Sequence, residues 1–254
     1  MESFVKSEVS NSVSTITFFH PQSNSLPGAI LRKLADEITH AGNDGKVKVI
    51  VLKSEGEKAF CAGASFDELM SIKNFEEGKH FFSGFAMVIN AIRKAPKFVI
   101  ARVHGKAVGG GVGLASAADY TLAVKDASVR LSELALGIGP FVVGPAVERK
   151  VGTGAFTALT INPSEWKSAD WAREKGLYAD IFATVDELDK ALNELADKLS
   201  KSSSEAMALL KKVMWEGTEN WDKLLIERAE MSGKLVLSDF TKKYIEKFKM
   251  NAKN

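Results

Sequence analysis

The chain has 254 residues, 45% of them hydrophobic and 26% charged, so it is long enough to bury a substantial core. The 34 Lys and Arg residues nearly balance the 32 Asp and Glu residues, and the formal net charge of +2 argues against a nucleic-acid or membrane partner. No apolar run approaches the roughly 20 residues of a transmembrane helix, and the first residues lack the apolar stretch of a signal peptide. Because the single Cys61 cannot form an internal disulfide, we expect a globular, cytoplasmic protein.

The first part of the chain alternates strand patterns with helix patterns. Residues 3–19 alternate in polarity on both sides of a central polar turn and predict a β-hairpin. Pro27 opens a stretch with apolar residues at helical spacing, and residues 46–54 form the apolar, β-rich run of a buried strand. Helical patterns follow over about 66–72 and 75–94. The order predicts an α/β fold.

The middle of the chain continues this alternation, and the end changes character. Residues 97–103 predict a strand, followed by a glycine-rich turn, a short helix of small residues and a second strand at 120–124. From about residue 185 the apolar residues keep helical spacing to the end, with no further strand pattern. Ser168 is predicted to cap a helix, and Ser202 has capping-box spacing to a glutamate at 205. We expect a layered α/β core followed by a helical region.

Two glycine-bearing turns, residues 57–69 ("EKAFCAGASFDEL") and 103–119 ("VHGKAVGGGVGLASAAD"), each follow a strand and lead into a helix. A helix N-terminus presents unpaired N–H groups, and glycine allows a ligand to approach the backbone closely. Two such turns facing each other could aim two N–H groups at one oxygen, as in an oxyanion hole. On the glycines alone, two ordinary tight turns are the better explanation of the pattern. Neither a phosphate loop nor a convincing dinucleotide fingerprint is present.

Four segments in order narrow these possibilities. "AFCAGASFDEL", "VIARVHGKAVGGGVGLASAAD", "LSELALGIGPFVVGPAVERKVG" and "SADWAREKGLYADIF" resemble the enoyl-CoA hydratase/isomerase, or crotonase, superfamily over roughly residues 5–190. The resemblance implies a crotonase-like spiral of ββα units over residues 1–190. It also implies a C-terminal helical trimerisation region over 191–254, and hence a homotrimer or a dimer of trimers.

The same resemblance implies the chemistry of acyl-CoA thioesters. Members of this family stabilise a thioester enolate with two backbone N–H groups, which by motif position fall on Ala64 and Gly110. Four nearby glycine-turn residues are expected to contact the substrate: Ala62, Gly63, Gly109 and Gly113. Coenzyme A is part of the substrate, so no separate cofactor is expected. The histidine and cysteine spacing does not suggest a metal site.

The family's hydratases typically carry two glutamates, and this sequence has one of them. The first position is Gly113, which has no side chain, and the second is Glu133. Hydration needs groups to orient and deprotonate water and to protonate C2, whereas moving a double bond from C3–C4 to C2–C3 needs only one base. The gap favours isomerisation with Glu133 as the proton shuttle. Hydration, including the methylglutaconyl-CoA type, decarboxylation, and a catalytically silent acyl-CoA-binding subunit remain alternatives.

Other positions carry expectations implied by the resemblance. Phe141 replaces part of a glycine-rich stretch that is usual in the family, and with its apolar neighbours is expected to reshape the acyl pocket. Lys97, Lys247 and Lys249 are candidates to bind the phosphates of CoA. Cys61 is expected to be structural rather than nucleophilic.

Overall fold

The structure, a computed structural model, describes residues 2–251 and the side chains of residues 2–247. The strands are β1 Phe4–Ser10, β2 Val13–Phe19, β3 Ser25–Leu26, β4 Val49–Ser54, β5 Ala59–Cys61, β6 Gly63–Ala64, β7 Phe98–Val103, β8 Lys106–Val108, β9 Tyr120–Val124, β10 Ser128–Arg130, β11 Lys167–Ser168 and β12 Asp180–Phe182.

Within residues 2–251, ten α-helices and one 3-10 turn connect and cover these strands. The helices are α1 Gly28–Asn43, α2 Phe66–Ser71, α3 Phe75–Lys94, α4 Gly110–Ala117, α5 Gly144–Ile161, α6 Ala169–Glu174, α7 Val185–Ser200, α8 Ser204–Met214, α9 Trp221–Leu235 and α10 Asp239–Asn251. The 3-10 turn spans Glu133–Leu136. Among residues 2–251, none of the helices combines the length and the apolar composition that crossing a membrane requires.

The predicted hairpin is confirmed. β1 and β2 pair antiparallel from Phe4 opposite Phe19 to Ser10 opposite Val13. The two residues between them, Asn11 and Ser12, have φ values of 49° and 62°, which suits the tight turn that matches the twist of the two strands.

A six-stranded sheet forms the largest layer, in the order β1-β2-β4-β7-β9-β12. Every neighbouring pair except β1 and β2 runs parallel. Parallel strands need crossover connections, which explains why helix patterns alternate with strand patterns in the sequence. The apolar face of α1 is buried through Leu31, Leu34 and Ile38, as the helical spacing after Pro27 predicted.

A second sheet of four short strands lies beside the first, in the order β11-β10-β8-β5. Its members follow main-sheet strands along the chain: β5 follows β4, β8 follows β7, and β10 follows β9. A helix or helical turn comes after each pair, so the chain repeats a ββα unit. This repetition is the predicted crotonase-like spiral. The sequence analysis did not identify β5, β8 or β10, because strands of three residues are too short to show an alternation of polarity.

The C-terminal helices pack directly on the core. α9 lies against α3 so closely that a Cβ atom on Gly78 would be 2.8 Å from the carbonyl oxygen of Gly233. In α8, Lys211 Nζ donates to the buried carboxylate of Asp119, at 2.7 Å. α7 runs without a break through residue 190, where the sequence analysis placed the boundary between the core and the helical region.

Two predicted helix caps have different outcomes. Ser168 caps α6 as expected, accepting a hydrogen bond from the amide of Trp171. The prediction for Ser202 was wrong by one residue, because the hydroxyl that accepts from an amide of α8 belongs to Ser203. The Ser202 hydroxyl instead donates to the carbonyl of Lys198, at the end of α7.

Candidate active site

Three loops meet where three adjacent strands of the second sheet end. Ala62, Gly63 and Ala64 follow β5, and Gly109 and Gly110 follow β8. The segment after β10 starts at Leu131 and reaches Glu133 two residues later. Because β5, β8 and β10 are parallel neighbours, their carboxyl ends lie at the same edge of the sheet. That edge is where open α/β sheets commonly place ligands.

The turn before α4 depends on the absence of side chains at Gly109 and Gly110. Gly109 has φ 51° and ψ −113°, a conformation that residues with a Cβ rarely adopt. A Cβ there would be 2.9 Å from Oε1 of Glu133, and a Cβ on Gly110 would be 2.2 Å from the ring of Phe85. Gly110 begins α4, so its N–H has no carbonyl partner within the helix.

The segment that carries Ala64 is held at both ends by backbone hydrogen bonds. The amide of Ala62 donates to the carbonyl of Ser23 at 3.1 Å, and the amide of Ser65 donates to that of Leu26 at 3.3 Å. A Cβ built on Gly63 would be 3.4 Å from the amide nitrogen of Gly110. The two glycine-bearing turns therefore lie side by side, as an oxyanion hole between them requires.

Glu133 reaches the same place from the third loop. Its carboxylate packs over Gly109, and the Oε2 atom is buried without a hydrogen-bond partner among the described residues. The 3-10 turn begins at Glu133, and the backbone carbonyl of Glu133 accepts a hydrogen bond from the amide of Ile138 at 3.0 Å. Burial raises the pKa of Glu133 from 4.5 to about 7, because removing water disfavours the charged form.

These groups line one cavity of about 220 Å³. Its walls are mostly apolar, and among the described residues that line it Glu133 is the one acidic side chain. The lining residues are Ala62, Gly63, Ala64, Phe66, Leu69, Phe82, Phe85, Val108, Gly109, Gly110, Arg130, Ser132, Glu133, Leu136, Gly139, Val142, Val143, Ser232 and Tyr244. A partly protonated carboxyl beside the two glycine-bearing turns in an apolar cavity can move protons next to a developing oxyanion.

Comparisons with known proteins agree with this geometry. The sequence model of the family "Enoyl-CoA hydratase/isomerase" matches residues 8–252. The chain belongs to the enoyl-CoA hydratase/isomerase family. It is 30% identical to the "Probable enoyl-CoA hydratase" of Bacillus subtilis (strain 168), covering 93% of this chain and 92% of that protein. It is also 30% identical to the "Short-chain-enoyl-CoA hydratase" of Clostridium acetobutylicum, covering 84% and 81% of the two chains.

Solved structures support the crotonase fold. An enoyl-CoA hydratase from Bacillus halodurans superposes with a TM-score of 0.88, covering 96% of this chain and all of that one, at 22% sequence identity. The chain is therefore a crotonase-fold member of a family of acyl-CoA enzymes. The resemblance that the four sequence segments suggested is confirmed, whereas the roles of individual residues still rest on geometry.

The position of the missing glutamate is closed by packing. A Cβ on Gly113 would be 2.4 Å from Cγ1 of Val143, so the valine occupies the space that a longer side chain would need. Gly113 is buried in α4 and does not line the cavity, contrary to its assignment as a substrate-binding residue. Val143 lines the cavity in its place. At the position where the resemblance implies a first glutamate, this chain therefore has an apolar contact between Gly113 and Val143.

Two further expected substrate contacts also lie elsewhere. Phe141 does not line the cavity. Its ring packs over Gly139, and Val142 and Val143 form that part of the wall instead. Lys97 lies at the amino end of β7, and its Nζ donates to the carbonyls of Ala41 and Asp44 at the end of α1. A cation at a helix C-terminus is stabilised by the unpaired carbonyls, so the structure gives Lys97 a capping role away from the cavity.

The two C-terminal lysines remain predictions. Lys247 is exposed on α10, three residues after Tyr244, which lines the cavity. This spacing places both side chains on neighbouring positions of the helix surface. Lys249 is within α10, but its side chain lies outside the described residues.

Cys61 is fully buried, and burial raises its pKa to about 12. A thiol with this pKa supplies very little thiolate at neutral pH, so its surroundings suit packing better than nucleophilic attack. Its sulfur accepts a hydrogen bond from the amide of Gly63, at 3.4 Å, and so helps to fix the 62–64 turn.

Several residues of the cavity wall were not predicted from the sequence. Arg130 and Ser132 precede Glu133 in "RLSEL", so their closeness to a candidate catalytic residue was an available signal. Ser232 and Tyr244 come from α9 and α10, more than a hundred residues after the glycine turn. Nothing local in the sequence marks such long-range neighbours.

Proposed function

We propose that this enzyme isomerises the double bond of an enoyl-CoA, from C3–C4 to C2–C3, through a thioester dienolate. The observation that carries the proposal is that Glu133 is the one carboxyl group among the described residues of the cavity wall, together with the valine that fills the space beside Gly113. A 1,3-proton transfer needs one group that takes a proton and returns it. Adding water requires that a water molecule also be held and activated.

The proposed roles follow from the geometry. Glu133 removes the proton from C2, and the electron pair of that bond forms a dienolate whose negative charge lies on the thioester oxygen. The N–H groups of Ala64 and Gly110 stabilise this oxygen, a contribution of roughly 2.7–4 kcal/mol for one such donor. The protonated Glu133 then returns the proton to C4, which leaves the double bond between C2 and C3.

The pKa of Glu133 suits a group that acts in both directions. A general acid–base catalyst works best when its pKa is near the working pH, and burial brings the pKa of this glutamate to about 7. The proposed reaction needs no cofactor beyond the coenzyme A that the substrate carries. A cavity of about 220 Å³ is smaller than the roughly 300–1,000 Å³ of pockets for drug-sized ligands, so we expect a short acyl chain.

Hydration is the second candidate, and the names of the relatives favour it. The proteins of B. subtilis and C. acetobutylicum are both named as hydratases. In this chain a hydratase would have to position its water with Glu133 and groups other than a carboxylate, since the described cavity residues supply no second one.

Deuterium incorporation separates the two candidates. The enzyme is incubated in D₂O with a short 3-enoyl-CoA and, separately, with the matching 2-enoyl-CoA, and the products are examined by mass spectrometry and NMR. We expect conversion of the 3-enoyl-CoA, with part of the hydrogen from C2 carried to C4 because one carboxyl group moves it. Rapid formation of 3-hydroxyacyl-CoA from the 2-enoyl-CoA would contradict isomerisation. Binding of both thioesters with no turnover would indicate a silent acyl-CoA-binding subunit.

As an oligomer we propose a homotrimer or a dimer of trimers, as the family resemblance implies. Exposed apolar side chains on α8, Leu209, Leu210 and Val213, support this proposal because association would remove them from water. Sedimentation analysis of the purified chain tests it, and a monomer at micromolar concentration would contradict it.

A further inference from the structure

Arg130 is a cation in the cavity wall that the proposed proton transfer does not use. It ends β10, and its carbonyl accepts a hydrogen bond from the amide of Gly109 at 2.9 Å. Arg130 is one of the residues that line the cavity, together with Glu133, three residues later. The Nε atom of Arg130 is buried and has no hydrogen-bond partner among the described residues.

An aromatic ring orients this guanidinium. The Cζ atom of Arg130 lies 4.4 Å from the ring centroid of Trp166, and Nζ of Lys106 lies 5.2 Å from the same centroid. Stacking on an aromatic ring restricts a guanidinium while leaving its N–H groups free at the edge, where they can bind a carboxylate with two hydrogen bonds.

No acid within the described part of the chain neutralises these two cations. None of the ion pairs between described residues includes Arg130 or Lys106. The acid nearest in sequence to Trp166, Glu165, is already paired with Lys167 at 2.6 Å. A partly buried charge without a partner is costly, and an anionic group on a ligand would relieve that cost.

Resting on the proposed function, we propose that Arg130 recognises a carboxylate on the acyl group, so that the substrates are carboxylated enoyl-CoA thioesters. The position favours the acyl group over the phosphates of CoA. Arg130 lies on the same wall as Gly109 and Glu133, beside the expected site of the thioester, and the pantetheine arm keeps the phosphates many bonds away. Arg130 is thus a specificity-determining residue, and Trp166 is its positioning residue.

A matched pair of substrates tests this proposal. Turnover is measured with 3-hexenedioyl-CoA, which ends in a carboxylate, and with the same thioester ending in a primary amide. We expect the unaltered enzyme to prefer the carboxylate. Arg130→Gln should lower kcat/KM for the carboxylate about 10- to 100-fold, because a hydrogen bond to a charged group contributes about 1.5–3 kcal/mol, and should change the amide little.

Two further variants separate recognition from folding. Arg130→Lys keeps the charge but loses the planar fork, so we expect an intermediate preference. Arg173→Gln removes a mostly exposed arginine that pairs with Asp180 at 3.5 Å, and the preference should not change. Equal preference for the two substrates in the unaltered enzyme, or an equal loss for both in Arg130→Gln, would overturn the proposal.

Pantetheine thioesters, which lack the nucleotide phosphates, show whether Arg130 binds the carboxylate of the acyl group or a phosphate of CoA. The effect of Arg130→Gln should persist with them, and its disappearance would show that Arg130 binds a phosphate of CoA instead. If neither hexenoyl substrate is converted, the proposed isomerase function fails, but Arg130 can still be tested by calorimetry with saturated hexanedioyl-CoA and its amide. Tighter binding of the carboxylate, lost in Arg130→Gln, would support the proposal, and equal binding would overturn it.

Discussion

Replacing Glu133 with Gln should reduce activity and, at the same time, make the folded protein more stable at high pH. The carboxyl group is buried, and its pKa is raised from 4.5 to about 7. Each unit of a pKa difference between the folded and unfolded states corresponds to about 1.36 kcal/mol, so ionising Glu133 in the folded state costs roughly 3 kcal/mol. Glutamine has nearly the same shape and cannot ionise.

The sign of the pH dependence follows from proton binding. Between pH 4.5 and about 7 the folded state holds the proton of Glu133 more tightly than the unfolded state does. The stabilisation from this proton is complete below pH 4.5 and is lost as the pH rises through 7. Relative to Glu133→Gln, the unaltered protein should therefore lose roughly 3 kcal/mol of unfolding free energy over this range. Urea denaturation at a series of pH values measures the difference.

The activity of the unaltered enzyme should rise with pH over the range in which its stability falls. As a general base Glu133 must be ionised, so kcat/KM of the unaltered enzyme should rise with pH through about 7. Above about pH 7, where Glu133 is ionised, Glu133→Gln should lower kcat/KM by roughly 10²–10⁴-fold, measured with a 3-enoyl-CoA. Glu194→Gln, which changes an exposed glutamate of α7, serves as the control and should match the unaltered enzyme in both assays. Retained activity in Glu133→Gln, or identical pH dependence of stability in the two proteins, would refute this account of the cavity.

Three other substitutions test the packing around the site and beneath it. Gly109→Ala would place a Cβ 2.9 Å from the carboxylate of Glu133, at a φ of 51°. We expect it to lower the unfolding free energy by about 1–3 kcal/mol, measured by denaturation, and to lower kcat, measured by turnover. An unchanged kcat would argue against the contact. Gly113→Ala should cost about 1–3 kcal/mol because of Val143, and adding Val143→Gly should remove most of that cost; strictly additive losses would contradict the contact. Lys211→Met leaves the carboxylate of Asp119 buried without its ion pair. Urea denaturation should show a loss of about 3–5 kcal/mol in unfolding free energy. Unchanged stability would show that the ion pair is dispensable.

The longer elements were predictable because their side-chain periods span enough residues to be recognised. Helices α1 and α3 repeat buried positions over 16 and 20 residues, and the strand β4 is an apolar, almost continuously buried run of 6 residues. The short strands β5, β8 and β10 have three residues each and follow glycines or turns, so they lack a periodic signal. These strands are nevertheless the ones whose ends hold the cavity groups.

The amino-acid sequence by itself determined the family, the order of helices and main-sheet strands as far as residue 124, and the presence of one glutamate where the resemblance implies two. Only the tertiary structure decided that Val143 fills the space beside Gly113, that Lys97 caps α1 instead of approaching the cavity, and that Arg130 joins Glu133 in its wall. The physical reason is that these facts depend on distances between chain segments that are far apart in sequence. Local patterns report which face of an element is buried, but packing decides which side chains meet there.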